Sequence, residues 1–114
     1  WYSKAWLHNK GRNNHHFDYW IDPMAPDPYK VIPFVYTVEM ICDTLSAGLV
    51  YQGKNWTPDY QLGYFTARPD RNYINPKIVA ILEEVYGEVA EKGSIKKVLK
   101  KKHLREIYDR HLKN

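Results

Sequence analysis

The chain has 114 residues, a formal net charge of +4, 44% apolar and 15% aromatic content. That length holds one domain with a modest core, and that composition excludes a disordered chain. One cysteine, Cys42, excludes an internal disulfide and a cysteine-only zinc site, and no apolar run reaches the length needed to cross a bilayer.

The basic charge is not spread evenly. Residues 94–114 hold eight Lys or Arg against two acids, whereas residues 1–93 hold nine against eleven. The basicity therefore belongs to the tail, and specific nucleic-acid binding by the domain is not expected. The lone cysteine points to a reducing, cytoplasmic setting. The chain opens at Trp1 without Met, already in an amphipathic pattern, so a fragment or a trimmed beginning is expected.

Taken in order, Trp1 to Asn9 reads as a short helix with Gly11 as its C-terminal cap. Asn13 or Asn14 suits the cap of a second short helix, about His15 to Ile21. Pro23, Pro26 and Pro28 then forbid regular structure until about Lys30. Pro33 opens a third helix that runs to about Tyr51 and is closed by Gly53. Phe34, Val38, Ile41, Cys42, Leu45 and Leu49 share one face, and Tyr36, Met40, Ala47 and Val50 make the other side apolar too. A helix apolar nearly all round is expected at the centre of its domain, with Cys42 filling core space.

Thr57 and Pro58 suit the start of a fourth helix to about Thr66. Asn75-Pro76 opens a fifth, with Ile78, Ile81, Leu82, Val85 and Val89 at helical spacing and Gly93 at its end. Ser94 caps a last helix whose apolar phase shifts at Lys100-Lys101-Lys102, which predicts a break there. His103 and His111 are expected at its surface. No alternating strand pattern of useful length is present. The class is all-α, with about five to six helices, a domain over residues 1–93 and a basic C-terminal helix over 94–114.

The densest chemistry lies in His8-Asn9-Lys10-Gly11-Arg12-Asn13-Asn14-His15-His16, which carries three of the five histidines. On the third helix Glu39 and Asp43 are the only charged residues. Four positions apart, they project about 40° from each other around the axis. If that helix is buried, two unpaired carboxylates cost several kcal/mol, and a partner must come from elsewhere. Arg12, Lys10, the histidines, or a metal held by them would serve. Neutral imidazoles and carboxylates together are the usual ligands of zinc, manganese and iron. A metal so held would lower the pKa of a bound water and make a nucleophile of it, and Arg12 would engage a phosphate through its planar fork. The same residues also suit a metal-free network in which Glu39 and Asp43 pair with Arg12 and the imidazoles.

The run Trp6 to Trp20, together with Val38-Glu39-Met40-Ile41-Cys42-Asp43, Tyr60-Gln61-Leu62-Gly63-Tyr64-Phe65 and the Asn75-Pro76 helix with Leu82-Glu83-Glu84, resembles a group of uncharacterised bacterial and phage proteins known as a domain of unknown function. The resemblance covers nearly all of residues 1–93. Members of that group carry a His-Asp-Leu-Ser-Lys motif in a preceding part, which implies kinship with the all-α HD superfamily of metal-dependent phosphohydrolases. The resemblance then implies His8, His15, His16 and Asp43 as ligands of a divalent transition metal (Mn, Zn or Fe). It implies Glu39 as an outer residue or proton acceptor. Arg12 and Lys10 would stabilise charge on a phosphorylated small molecule or nucleotide. The His-Asp motif itself does not occur in these 114 residues. The competing expectation is a non-catalytic helical interaction or homo-oligomerisation domain in which the His/Arg/Asp/Glu cluster is structural, with no membrane contact.

Overall fold

Five α-helices and two short 3₁₀ turns make up residues 29–113, the part of the chain that the computed structural model describes. Helix α1 spans Phe34–Gln52, α2 Tyr60–Thr66, α3 Pro76–Lys92, α4 Ile95–Val98 and α5 Lys101–Lys113. The 3₁₀ turns, Gly53–Asn55 and Pro69–Tyr73, sit on either side of α2. The described residues contain no strand, and the all-α expectation holds. The two helices expected before residue 22 lie outside the described residues.

The helix ends follow local chemistry. Asn75 accepts the Lys77 backbone N–H at 2.9 Å, with Pro76 in the first turn of α3. The Asn75 amide also donates to the Tyr29 carbonyl at 3.0 Å, which ties the entering chain to the same cap. Gly93 closes α3 in the left-handed region at φ 68°, where a side chain would strain the backbone. Ser94 accepts from the Lys97 N–H at the start of α4. The break between α4 and α5 falls at Leu99 and Lys100, where the apolar phase shifts. Pro33 precedes α1 rather than entering it, and the helix has no side-chain cap. Thr57 does not cap α2. It donates instead to the Asp59 carboxylate at 2.5 Å, and the helix begins at Tyr60.

The core is centred on α3, which packs against α2, α4 and α5. Ile78, Ile81, Leu82, Val85, Tyr86 and Val89 are all buried. Ile41 and Leu45 of α1, Phe65 of α2, Val98 of α4 and Leu104, Ile107 and Tyr108 of α5 close around them. This corrects the expectation that the 34–52 helix is central. In α1 only Thr37, Met40, Ile41, Leu45 and Gly48 are buried, while Val35 is 60% and Val50 79% exposed. Apolar residues on every side of a helix raise the area it has available to bury, but do not supply the neighbours that would bury it.

The two tail histidines are a second correction. Each is half-buried against α3 rather than free at the surface. His103 Nε2 lies 3.0 Å from both Glu88 carboxylate oxygens. His111 Nε2 lies 2.8 Å from Glu84 Oε1. Arg110 adds a two-pronged contact to Glu84 at 3.0 and 2.6 Å. Glu84 and Glu88 are one turn apart on α3, so a single acidic edge receives the basic tail.

This seam has a pH signature. Arg110's hydrogen bonds hold the Glu84 carboxyl below its ordinary 4.5, burial opposes them, and His111 adds to the lowering. A carboxyl whose folded pKa is depressed contributes stability above its unfolded pKa and loses it as pH falls through the folded value. Asp70, lowered by its paired contact with Arg68, acts in the same direction. Thermal stability is therefore expected to fall as pH drops below about 4.5, and Glu84→Gln to flatten that fall. Melting curves collected across the acid range measure both.

Candidate functional site

Glu39 and Asp43 do share one side of α1, but both are exposed. The burial that would have compelled a partner is therefore absent. Cys42, expected in the core, is also exposed. Partial desolvation pushes its thiol up, and the charges of Asp43 and Glu39 push it further. Cys42 is thus held as a thiol, a weaker nucleophile and metal ligand than a thiolate.

His8, His15, His16, Arg12 and Lys10 lie outside the described residues. Among the described residues no group of three or more His, Cys, Asp or Glu is arranged to hold a metal ion. A metal centre would depend on imidazoles from residues 1–28, with Asp43 as the described contributor.

Asp43 stands instead at the rim of a cleft between α1 and α2, with a volume of about 390 Å³. Thr44, Ala47, Gly48 and Tyr51 form its α1 wall. Tyr60, Gln61 and Tyr64 form the facing wall on α2. The two helices approach closely because Gly48 has no side chain. A Cβ there would sit 3.0 Å from Gln61 Oε1 and 3.4 Å from the Tyr60 ring. Tyr60 and Tyr64, one turn apart, stack with centroids 6.2 Å apart and planes at 29°. Gln52 at the end of α1 donates to the Tyr60 hydroxyl at 3.2 Å, which fixes that ring across the gap.

Below the cleft the polar groups are mostly accounted for. Thr44 donates to the Met40 carbonyl at 2.6 Å. Its hydroxyl also touches the Tyr86 phenol, which burial pushes up to about 12 although Thr44 opposes the shift. Gln61 is the exception. Its side chain is 2% exposed, and its Oε1 has no hydrogen-bond donor. A buried amide oxygen left unpaired costs roughly 1–3 kcal/mol.

Sequence reasoning singled out Asp43 but missed Gly48, Tyr51, Tyr60, Gln61 and Tyr64 as a group. A legible signal existed in Tyr60-Gln61-Leu62-Gly63-Tyr64. Two tyrosines one turn apart bracket a polar residue that the apolar phase places inward.

The molecule is thus an all-α domain with an aromatic cleft beside an acidic helix face. Residues 1–88 match the family described as a family of unknown function (DUF5662), and the chain belongs to it. The match takes in the cleft and both acids and ends before α3 does. No curated protein and no solved structure matches the chain. Among the described residues no helix is long and apolar enough to cross a membrane.

Proposed function

We propose that this domain, when complete, binds a divalent transition metal and hydrolyses a phosphate ester or nucleotide in the manner of the HD superfamily. The observation that supports this reading is the exposure of Asp43 at the mouth of the cleft. A catalytic metal keeps an open position for substrate, so its carboxylate ligand has to stand where a small molecule can arrive. His8, His15 and His16 with Asp43 would hold manganese, zinc or iron. Glu39, one turn from Asp43, would take up a proton. Arg12 and Lys10 would meet the negative charge that grows on the phosphoryl oxygens. The resemblance and the single cysteine support a cytoplasmic protein of bacterial or phage origin.

Elemental analysis of the purified chain and melting curves with added manganese or zinc test the reading. The expected result is a bound transition metal and a raised melting temperature, both lost in Asp43→Asn and in His15→Ala. Ligand binding at a hundred times Kd stabilises by about 2.7 kcal/mol, which is readily seen in a melt. Metal-free protein that no added metal stabilises would overturn it.

A second reading, a non-catalytic oligomerisation domain, is favoured by one observation. Val35, Val50 and Tyr51 of α1 are 60%, 79% and 83% exposed, an apolar surface in need of cover. In that case light scattering shows a multimer that Val50→Asp reduces to a monomer, and added metal changes nothing.

A further inference from the structure

From Lys92 to Arg105 the chain carries seven Lys or Arg and no acid. The stretch covers the end of α3, all of α4 and the start of α5, and all seven cations are exposed. Two of them have partners inside the fold. Lys92 stands 3.6 Å from Glu88, and Arg105 bonds to Asp109 at 3.2 Å and lies 4.8 Å from the Phe34 ring centroid. Among the described residues no ion pair engages Lys96, Lys97, Lys100, Lys101 or Lys102.

The corner that carries these lysines is fixed from below. Val98 and Leu104 are 0% and 5% exposed, and Ile95 and Leu99 pack on the same core. The Lys100 N–H donates to the Val98 carbonyl at 2.8 Å, and the Leu104 N–H to the Lys100 carbonyl at 2.9 Å. An anchored turn thus holds five like charges within residues 96–102. Lys101 and Lys102 also stand in the first turn of α5, the positive end of that helix, where no acid offsets them. Their mutual repulsion is relieved when an anion arrives from outside.

The make-up of the patch selects among anions. Protein interfaces are enriched in aromatic residues, Met and Arg and depleted of Lys, whereas lysine is a common point-charge binder of phosphate. Stable attachment to an anionic membrane takes an apolar or lipid anchor beside the basic residues. Every large apolar side chain exposed among the described residues lies between Val31 and Tyr73, and none between Lys92 and Arg105. The same lack of exposed rings leaves no platform on which the bases of a single strand would stack. Base edges are read by forked or amide side chains, and the unpaired cations here are all lysines. We infer that the α4–α5 corner binds the phosphate backbone of duplex nucleic acid, independently of sequence.

The test is fluorescence anisotropy of the full chain with short labelled duplexes of DNA and of RNA, at salt concentrations between about 50 and 200 mM. A metal chelator is present throughout, so the proposed metal centre does not contribute. Each phosphate contacted adds about −0.9 to the slope of log affinity against log salt, so three to five contacts weaken binding roughly forty- to five-hundredfold over that range. Lys101→Gln combined with Lys102→Gln is expected to make the slope shallower by about 1.8. Lys30→Gln with Lys54→Gln removes the same charge from exposed positions away from the corner and should change affinity less than about twofold. Both variants alter exposed side chains and should melt with the parent. The tighter of the two duplexes assigns the source of the backbone. No binding at the lowest salt, equal losses in the two double variants, or tighter binding of a single strand, of polyglutamate or of phosphatidylserine vesicles would overturn the proposal.

Discussion

Ending the chain at Gly93 is expected to abolish cooperative unfolding. The removed segment looks like a solvated basic tail in charge, yet it completes the core. Val98 and Ile107 are 0% exposed, Leu104 5% and Tyr108 6%. Fully burying side chains of this size contributes roughly 1.5–3 kcal/mol each, so the four together are on the order of the whole net stability of a small domain. Polar ties would go with them. The Tyr108 hydroxyl donates to the buried Ile32 carbonyl at 2.6 Å, a carbonyl that also receives the Thr37 hydroxyl at 3.1 Å. Lys77 Nζ reaches the Leu112 carbonyl at 3.0 Å. Glu84 and Glu88 would lose His111, Arg110 and His103. The truncated chain should keep part of its far-ultraviolet helix signal, lose its near-ultraviolet aromatic signal and bind a hydrophobic dye. A truncated protein that melts sharply within a few degrees of the full chain would show that α5 is only an attachment.

Leu82→Ala is expected to cost about 2–5 kcal/mol, whereas Val50→Ala should fall within about 0.5 kcal/mol of the parent. The contrast decides which helix is central. Leu82 is 0% exposed in the middle of α3, and its removal leaves a cavity whose walls come from neighbouring helices that are already packed against each other. Val50 is 79% exposed on α1, where water replaces what a methyl group touched. Urea unfolding monitored by aromatic fluorescence measures both, as a shift in midpoint at an unchanged slope. Comparable losses in the two variants would return α1 to the centre of the domain.

The aromatic contacts show why the energetic centre was hard to see in sequence. Phe65 meets Tyr86 edge-on at 5.6 Å, and Phe34 meets Tyr108 at 5.4 Å. Both pairs join different helices, one the successive α2 and α3 and the other α1 with the distant α5. Spacing along one helix marks its apolar stripe but does not say which stripe receives another helix. The 34–52 segment is richer in apolar residues, whereas the 76–92 segment has its apolar residues on the side where three other helices arrive.

The candidate site divides in the same way. Glu39 and Asp43 sharing a side of one helix follows from a four-residue interval and needs no tertiary information. Whether that side is dry or wet depends on the neighbours of α1, and it is wet. His103 and His111 read as surface residues because their own helix is basic. Their partners are Glu88 and Glu84 on a different helix, and that pairing exists only once α5 lies across α3.

What the amino-acid order determined unaided is the helical class and several of the points where helices stop and start. Asn75, Gly93, Ser94 and Gly53 act through their own backbone or the next few residues, so their effect is present in the local sequence. Tertiary packing alone decided that α3 is the centre and that the acids of α1 face water. It also decided that Gly48 lets Gln61 and two tyrosines close over a cleft. Those outcomes depend on which surfaces meet across long stretches of chain, and no local spacing encodes that.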